Sequence, residues 1–213
     1  MVNLSSQVLR QIQLHGEIIG PNILVAEYQL LSANVVSEVE GTLVLWGAAE
    51  PLWLDEPLKC YPLVDRLIYG ECLLNGIKLS ETHYTVGLKV GKVPQAIGSI
   101  LSFCPGNSQG QNTSINLQLQ EFGVDSLIVT VSGLLGNIPR RYQNWLGLWE
   151  GDPPLYKKEG CICRVAVNSL QSTFTQQLRG IPLKFNSLYT IAYGVGPNWE
   201  NVAATLTFKT EPY

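Results

Sequence analysis

The sequence predicts an all-β protein built as two antiparallel β-sandwiches in tandem, related by internal duplication. Three observations carry this. The chain has 213 residues, about twice the length of one sandwich domain. An ordered series of residues returns about one hundred positions later. Short stretches rich in Thr, Val, Ile, Tyr and Leu alternate with Gly, Pro, Asn and Ser turns, and no helical stripe runs for more than two turns.

The repeat is explicit. Leu43, Leu45, Trp46, Pro51, Leu52, Trp53 and Cys60 return 103 positions later as Leu146, Leu148, Trp149, Pro154, Leu155, Tyr156 and Cys163. Gly76-Ile77 and Leu79 return 104 later as Gly180-Ile181 and Leu183. Tyr84-Thr85-Val86, Leu101 and Phe103 return 105 later as Tyr189-Thr190-Ile191, Leu206 and Phe208. The offset drifts between strands, where insertions cost little. The Gly/Pro/Ser/Asn-rich run from Cys104 to Gln111 marks the boundary, giving one copy over residues 1–105 and a second over 106–213.

About seven strands are expected in each copy. In the second they fall at Ile115–Gln120, Ser126–Ser132, Gln143–Glu150, Cys161–Val167, Ser172–Arg179, Tyr189–Gly194 and Ala203–Lys209. Seven strands in about 100 residues imply two stacked antiparallel sheets. In the first copy, Leu58–Gly76 is richer in Leu and alternates less clearly.

Two local patterns narrow the class. Leu79, Tyr84 and Val86, repeated as Leu183, Tyr189 and Ile191, resemble the tyrosine corner of fibronectin type III and other immunoglobulin-like domains. That resemblance implies a Tyr hydroxyl tying a turn to the sheet. Separately, Asn137–Gly151 (NIPRRYQNWLGLWEG) resembles the Trp-x-Gly-x-aromatic strand of SKICH domains, which are interaction modules. The first copy has Thr42, Val44 and Trp46 where the second has Trp145, Gly147 and Trp149.

Composition limits the function. Hydrophobic residues make up 46% of the chain and charged residues 15%, so a sizeable core can form and part of the surface must be weakly polar. A net charge of −3, with Arg140-Arg141 and Lys157-Lys158 as the densest basic spots, argues against a nucleic-acid partner. No stretch is long and apolar enough for a membrane helix, and Met1 to Glu17 does not read as a signal peptide. Five cysteines (Cys60, Cys72, Cys104, Cys161, Cys163) form no disulfide frame or zinc clip, so free thiols in a cytoplasmic setting are expected.

Candidate contact residues are the aromatics. Side chains alternate across a strand, so Leu146 and Leu148 face one way and Trp145 and Trp149 the other. Both copies keep the leucines, which makes the leucine face the inner core and places Trp46 and Trp149 half-exposed on the outer face. A tryptophan on the third strand is also a common core residue, and that alternative stays open. Trp53, Tyr156 and Trp199 lie in loops beside Pro51, Pro153-Pro154 and Pro197, positions that suit either binding or anchoring a loop.

Cys60 and Cys163 are expected at equivalent positions as small buried hydrophobes. Cys161-Ile162-Cys163 places two thiols on one strand face without further ligands, and no metal or cofactor is assigned. Asp55-Glu56 and Glu150 with Asp152 lie after the third strand of each copy, as solvating acids, a calcium site or acid–base groups. No nucleotide loop, nucleophile elbow or zinc helix is present in the sequence.

The first expectation for function is a non-enzymatic binding or scaffold protein, contacting a protein partner or itself through Trp46, Trp53, Trp149, Tyr156 and Trp199. The alternative is a Trp/Tyr-lined pocket between the copies. Such a pocket would take a small apolar molecule, or catalyse a cofactor-free cyclisation or isomerisation through Glu56, Asp152 or His83. Positions where the copies differ, among them Asp65-Arg66, His83 and Arg140-Arg141, matter most for that alternative. A sugar-binding module is a third reading.

Overall fold

The computed structural model describes residues 5–20, 22–36, 41–49, 53, 56–63, 67–77, 83–104, 110–123 and 125–210. It is all-β, as the sequence predicts. The strands before residue 105 are β1 (Ser5–Gln11), β2 (Gln13–Gly20), β3 (Ile23–Gln29), β4 (Gly41–Trp46), β5 (Lys59–Pro62), β6 (Tyr69–Leu74), β7 (Tyr84–Val90) and β8 (Ile97–Phe103). Those after it are β9 (Gln111–Ser114), β10 (Asn116–Phe122), β11 (Ser126–Ser132), β12 (Trp145–Glu150), β13 (Cys161–Ala166), β14 (Thr173–Arg179), β15 (Leu188–Gly194) and β16 (Val202–Lys209). Two short helices, α1 (Ser32–Val36) and α2 (Pro139–Tyr142), precede β4 and β12.

Every strand expected in the second half is found, with ends shifted by a residue or two. The expected Leu58–Gly76 stretch resolves into β5 and β6. Each half has one strand more than the seven or so expected, and in the second half it is β9, in polar sequence beside the linker, where Gln111-Asn112-Thr113-Ser114 carries no alternating apolar signal.

The sheets explain those extra strands. Sheet order is β5-β4-β7-β8-β9 and β2-β3-β6 in one half, and β13-β12-β15-β16-β1 and β10-β11-β14 in the other. The two halves thus show one strand order. Each five-stranded sheet takes its last strand from across residue 105: β9 pairs with β8, and β1 pairs with β16. A single buried isoleucine carries the chain from one sheet to the next at each crossing, Ile12 between β1 and β2 and Ile115 between β9 and β10. Ile12 also donates its backbone N–H to Ala203 O at 3.0 Å.

In each half the three-stranded sheet packs on the five-stranded one, with β2 against β8 and β9, and β10 against β16 and β1. The inner faces follow from period-two alternation. Leu24, Ala26 and Tyr28 face inward from β3, and Leu127, Val129 and Val131 from β11. They meet Leu43, Leu45, Val86 and Leu88 in one half and Leu146, Leu148, Ile191 and Leu206 in the other. Buried residues of both halves form one cluster, each full-size side chain contributing about 1.5–3 kcal/mol by leaving water. Gly98 lies at the junction of the halves without room for a side chain: a Cβ there would lie 2.9 Å from Ile12 Cδ1 and 3.3 Å from Ala203 Cβ.

The turn-tying tyrosine is present in the second half. Tyr189 accepts a hydrogen bond from the Lys184 backbone N–H at 2.8 Å and stacks on Phe208, with centroids 5.9 Å apart. Tyr84 stacks on Phe103 in the same way at 5.6 Å. Leu79 lies outside the described residues.

One open reading is resolved and one expectation is corrected. Trp46 and Trp149 take the buried alternative and are not half-exposed: they are 4% and 2% exposed. They do lie opposite the leucines, but their rings lie flat on glycine. A Cβ on Gly87 would come 2.8 Å from the Trp46 ring, and one on Gly147 would come 2.6 Å from that of Trp149. Cys60 and Cys163 are not equivalent either. Cys60 faces Val44, whereas Cys163 faces Leu148, the counterpart of Leu45, because the ladder shifts by one between Leu148 and Trp149. A one-residue slip moves a side chain to the other face. Cys60 is accordingly exposed rather than buried, and Cys163 is half-buried.

Candidate functional site

The outer face of β12 carries an aromatic cluster. Trp145, Trp149 and Trp199 approach one another with ring centroids 5.4–6.2 Å apart, and Tyr156 meets Trp149 edge-on at 5.1 Å. Arg164 from β13 lies over two of these rings, its guanidinium carbon 4.5 Å from Trp145 and 4.2 Å from Trp199, and donates to Pro197 O. Such stacked cations add roughly 0.5–2 kcal/mol each. Indole donors are satisfied too: Trp145 Nε1 reaches Asn198 O and Trp149 Nε1 reaches Lys157 O, both at 3.1 Å. Packed and hydrogen-bonded in this way, the cluster seals the sheet against the β12–β13 and β15–β16 loops. Only Trp199 is partly accessible.

The loop aromatics Trp53 and Tyr156 occupy matching places with different outcomes. Trp53 reaches across the seam into the second half. Its Nε1 donates to Leu135 O at 3.1 Å, its ring stands 6.0 Å from Tyr142, and Gly136 leaves room for it. The segment it meets, Leu134–Gly136, corresponds at the same offset of 103 to Leu31–Ala33, and both turns close on the same bond, Asn34 N to Leu31 O and Asn137 N to Leu134 O. Tyr156, the matching residue at the other seam, meets Trp149 edge-on and leaves a gap between itself and Leu31–Ala33.

That second seam is consequently open. A cleft of about 390 Å³ lies there, lined by Gln29–Ala33, Ile68 and Tyr69 on one side, by Asp152, Pro153, Pro154, Tyr156 and Thr205 on the other, and by Arg10 from β1. Arg10 Nη1 donates to Asp152 Oδ2 at 2.7 Å. Tyr156 Oη stands 3.5 Å from Asp152 Oδ1. Arg10 remains 48% exposed and Asp152 33%, so the pair is a wet, modest contribution to stability rather than a buried anchor.

Burial first, then the negative charge of Asp152, pushes the Tyr156 hydroxyl up to about 12. A folded-state value above the ordinary one means the stabilising contribution is complete below pH 10 and is lost as pH rises toward 12. Tyr156→Phe is therefore expected to remove part of the alkaline loss of stability, about 1 kcal/mol at pH 11, in urea unfolding compared at pH 8 and pH 11. Identical pH slopes for both proteins would count against this environment.

The other candidates do not converge. Glu56 and His83 are exposed and neither lines the cleft. Asp55 and Asp65-Arg66 lie outside the described residues. Glu150 pairs with Lys184 at 2.8 Å on the surface. Arg140 and Arg141 are exposed on α2. Cys161 donates its thiol to Cys163 O at 3.0 Å, and burial with the neighbouring thiol pushes Cys163 up to about 11, which keeps it protonated. Among the described residues, no three His, Cys, Asp or Glu side chains are placed to hold a metal, and no helix is long and apolar enough to cross a membrane.

Sequence reasoning named Asp152 and Tyr156 but missed Arg10, Thr205, Tyr69 and Leu30–Ala33. Asp152 was legible as one of the acids in the loop after the third strand, and Tyr156 as the loop aromatic matching Trp53. For Arg10 no such signal could be read, because its strand belongs to the sheet of the other half. No protein-family model matches the chain, and no curated protein matches it in sequence.

Proposed function

We propose that this chain is a binding protein that holds a small molecule in the cleft between two immunoglobulin-like halves derived from one duplicated unit. The shared strand order and the Tyr189 turn support the duplicated immunoglobulin-like reading. The observation that carries the binding reading is the open seam. About 390 Å³ falls within the ordinary range of ligand pockets, and its walls combine apolar surface with a convergent Arg10–Asp152 pair. The Tyr156 hydroxyl, at about 12, is far from the range useful for acid–base work near neutrality, which favours binding over catalysis.

The test is native mass spectrometry of untagged protein purified from its own source, beside a Ser32→Trp variant that places an indole in the cleft. A small-molecule mass on the wild type that is absent from the variant supports the reading. A wild type that is bare under gentle conditions counts against it.

A protein-contact reading keeps one observation of its own. Ile19 (59% exposed), Ile23 and Leu73 (51% exposed) project from the outer face of β2-β3-β6, whereas on β10-β11-β14 the positions matching Ile23 and Leu73 carry Ser126 and Gln177. Ile19→Lys with Leu73→Lys would dissociate any multimer held by that face. Sedimentation unchanged by the pair removes this reading.

A further inference from the structure

We infer that the cleft takes a planar aromatic carboxylate of about indole size. This rests on the cleft being a binding site and names the class of its ligand. The first argument is internal. The closed seam holds an indole, that of Trp53, against Leu134–Gly136, whereas the matching segment Leu31–Ala33 borders an open cleft with the Tyr156 ring on its far wall. Pro153, Pro154, Ile68 and Tyr69 supply flat apolar walls there, surfaces suited to an aromatic body.

The second argument is the set of differences between the seams. Register pairs Arg10 with Thr205 on one side and Thr113 with Ile100 on the other, and Asp152 stands where Ala49 does. Where one seam has Thr113, Ile100, Ala49 and a filling Trp53, the other has Arg10, Thr205, Asp152 and a retracted Tyr156. Polar groups were gained where space was gained.

The third argument fixes the charge. Both Asp152 oxygens are engaged, Oδ2 by Arg10 and Oδ1 by Tyr156. Arg10 uses Nη1 on Asp152, and a guanidinium carries five N–H donors in a planar fork. The capacity left over is that of N–H donors on a guanidinium already paired with Asp152, and a carboxylate is the acceptor that takes two of them in parallel.

The test titrates the full chain with indole-3-acetate, indole and tryptamine, followed by ligand-observed NMR and calorimetry. Indole-3-acetate should bind one to one, roughly 10-fold or more tighter than indole, with tryptamine weakest. Arg10→Thr, which installs the residue of the closed seam, should bring the ratio of acid to indole affinity down to about 1 or below. Should that variant not fold, Arg10→Lys keeps the charge without the fork and should reduce the preference severalfold. Ser32→Trp should abolish binding of both ligands. Failure of indole-3-acetate to bind, acid and indole binding equally, or a preference that survives loss of Arg10 would each overturn the assignment. If a co-purified mass disappears in Ser32→Trp while indole-3-acetate does not bind, the cleft remains a site and only the ligand class is wrong. If neither is seen, both readings fall.

Discussion

Gly194→Ala is expected to destabilise the chain by about 2–3 kcal/mol, a large effect for one methyl group. Gly194 on β15 faces Trp145 on β12, and its missing side chain is the floor on which the indole lies: a Cβ there would sit 2.1 Å from Trp145 Cε2 and 2.4 Å from Cζ2. Something must move. The ring cannot tilt freely, because its Nε1 is bonded to Asn198 O and its outer side is held by Arg164 and Trp199. Since φ at Gly194 lies outside the left-handed region, alanine is locally compatible with the strand and the cost is steric. A double-mutant cycle isolates it. Trp145→Ala alone should cost about 3–5 kcal/mol through the cavity it leaves, but with the indole gone Gly194→Ala should cost under about 0.5 kcal/mol. Urea unfolding of the four proteins measures this. Equal costs of Gly194→Ala in the two backgrounds would show that the indole is not what the glycine accommodates.

The same pair of residues shows what the sequence could and could not reveal. Trp145-x-Gly147-x-Trp149 announces a strand with leucines on one face and indoles on the other, and that much was legible because side-chain alternation is a property of the strand alone. Whether the indole face is bare or covered depends on loops folding back, on Arg164 in the next strand and on Gly194 across the ladder. These are non-local facts, and a glycine in a strand reads only as a weakness until its neighbour is known. The strand positions were recoverable for a related reason: each needed only local composition and turn residues. β9 was missed because its residues are polar, and it owes its place to β8 rather than to any apolar face of its own.

The candidate site was legible in outline and not in its parts. The repeat exposed Trp53/Tyr156 as a matched pair that differs, and Asp152 stood out only as an acid in the loop after the third strand. Arg10 could not be matched with Thr113 without knowing that each half lends a strand to the other half's sheet. The closing ion pair spans 142 positions in the chain. Cys60 and Cys163 show the opposite failure, an equivalence in sequence that the ladder breaks through a one-residue shift that composition does not signal.

Trp53→Ala should be the most damaging single change at the junction of the halves, costing about 3–5 kcal/mol, and free indole should restore part of it. Trp53 is buried, its Nε1 bonded to Leu135 O and its ring beside Tyr142, so truncation opens a gap shaped by the lost indole. A ligand that binds only the folded state stabilises by RT ln(1 + [L]/Kd), about 2.7 kcal/mol at one hundred times Kd, so thermal melts with increasing indole should climb for the variant far more than for the wild type. Ligand preference gives the sharper check. The counterparts of Arg10 and Asp152 in this seam are Thr113 and Ala49, so the engineered gap offers a ring-shaped space with Thr113 in the place of the Arg10 guanidinium. Indole should therefore rescue Trp53→Ala at least as well as indole-3-acetate, the reverse of the order expected at the natural cleft. If the acid is preferred at both seams, Arg10 is not the source of its selectivity. If indole rescues nothing, the two seams do not offer equivalent space, and the geometric argument that links them fails at its first step.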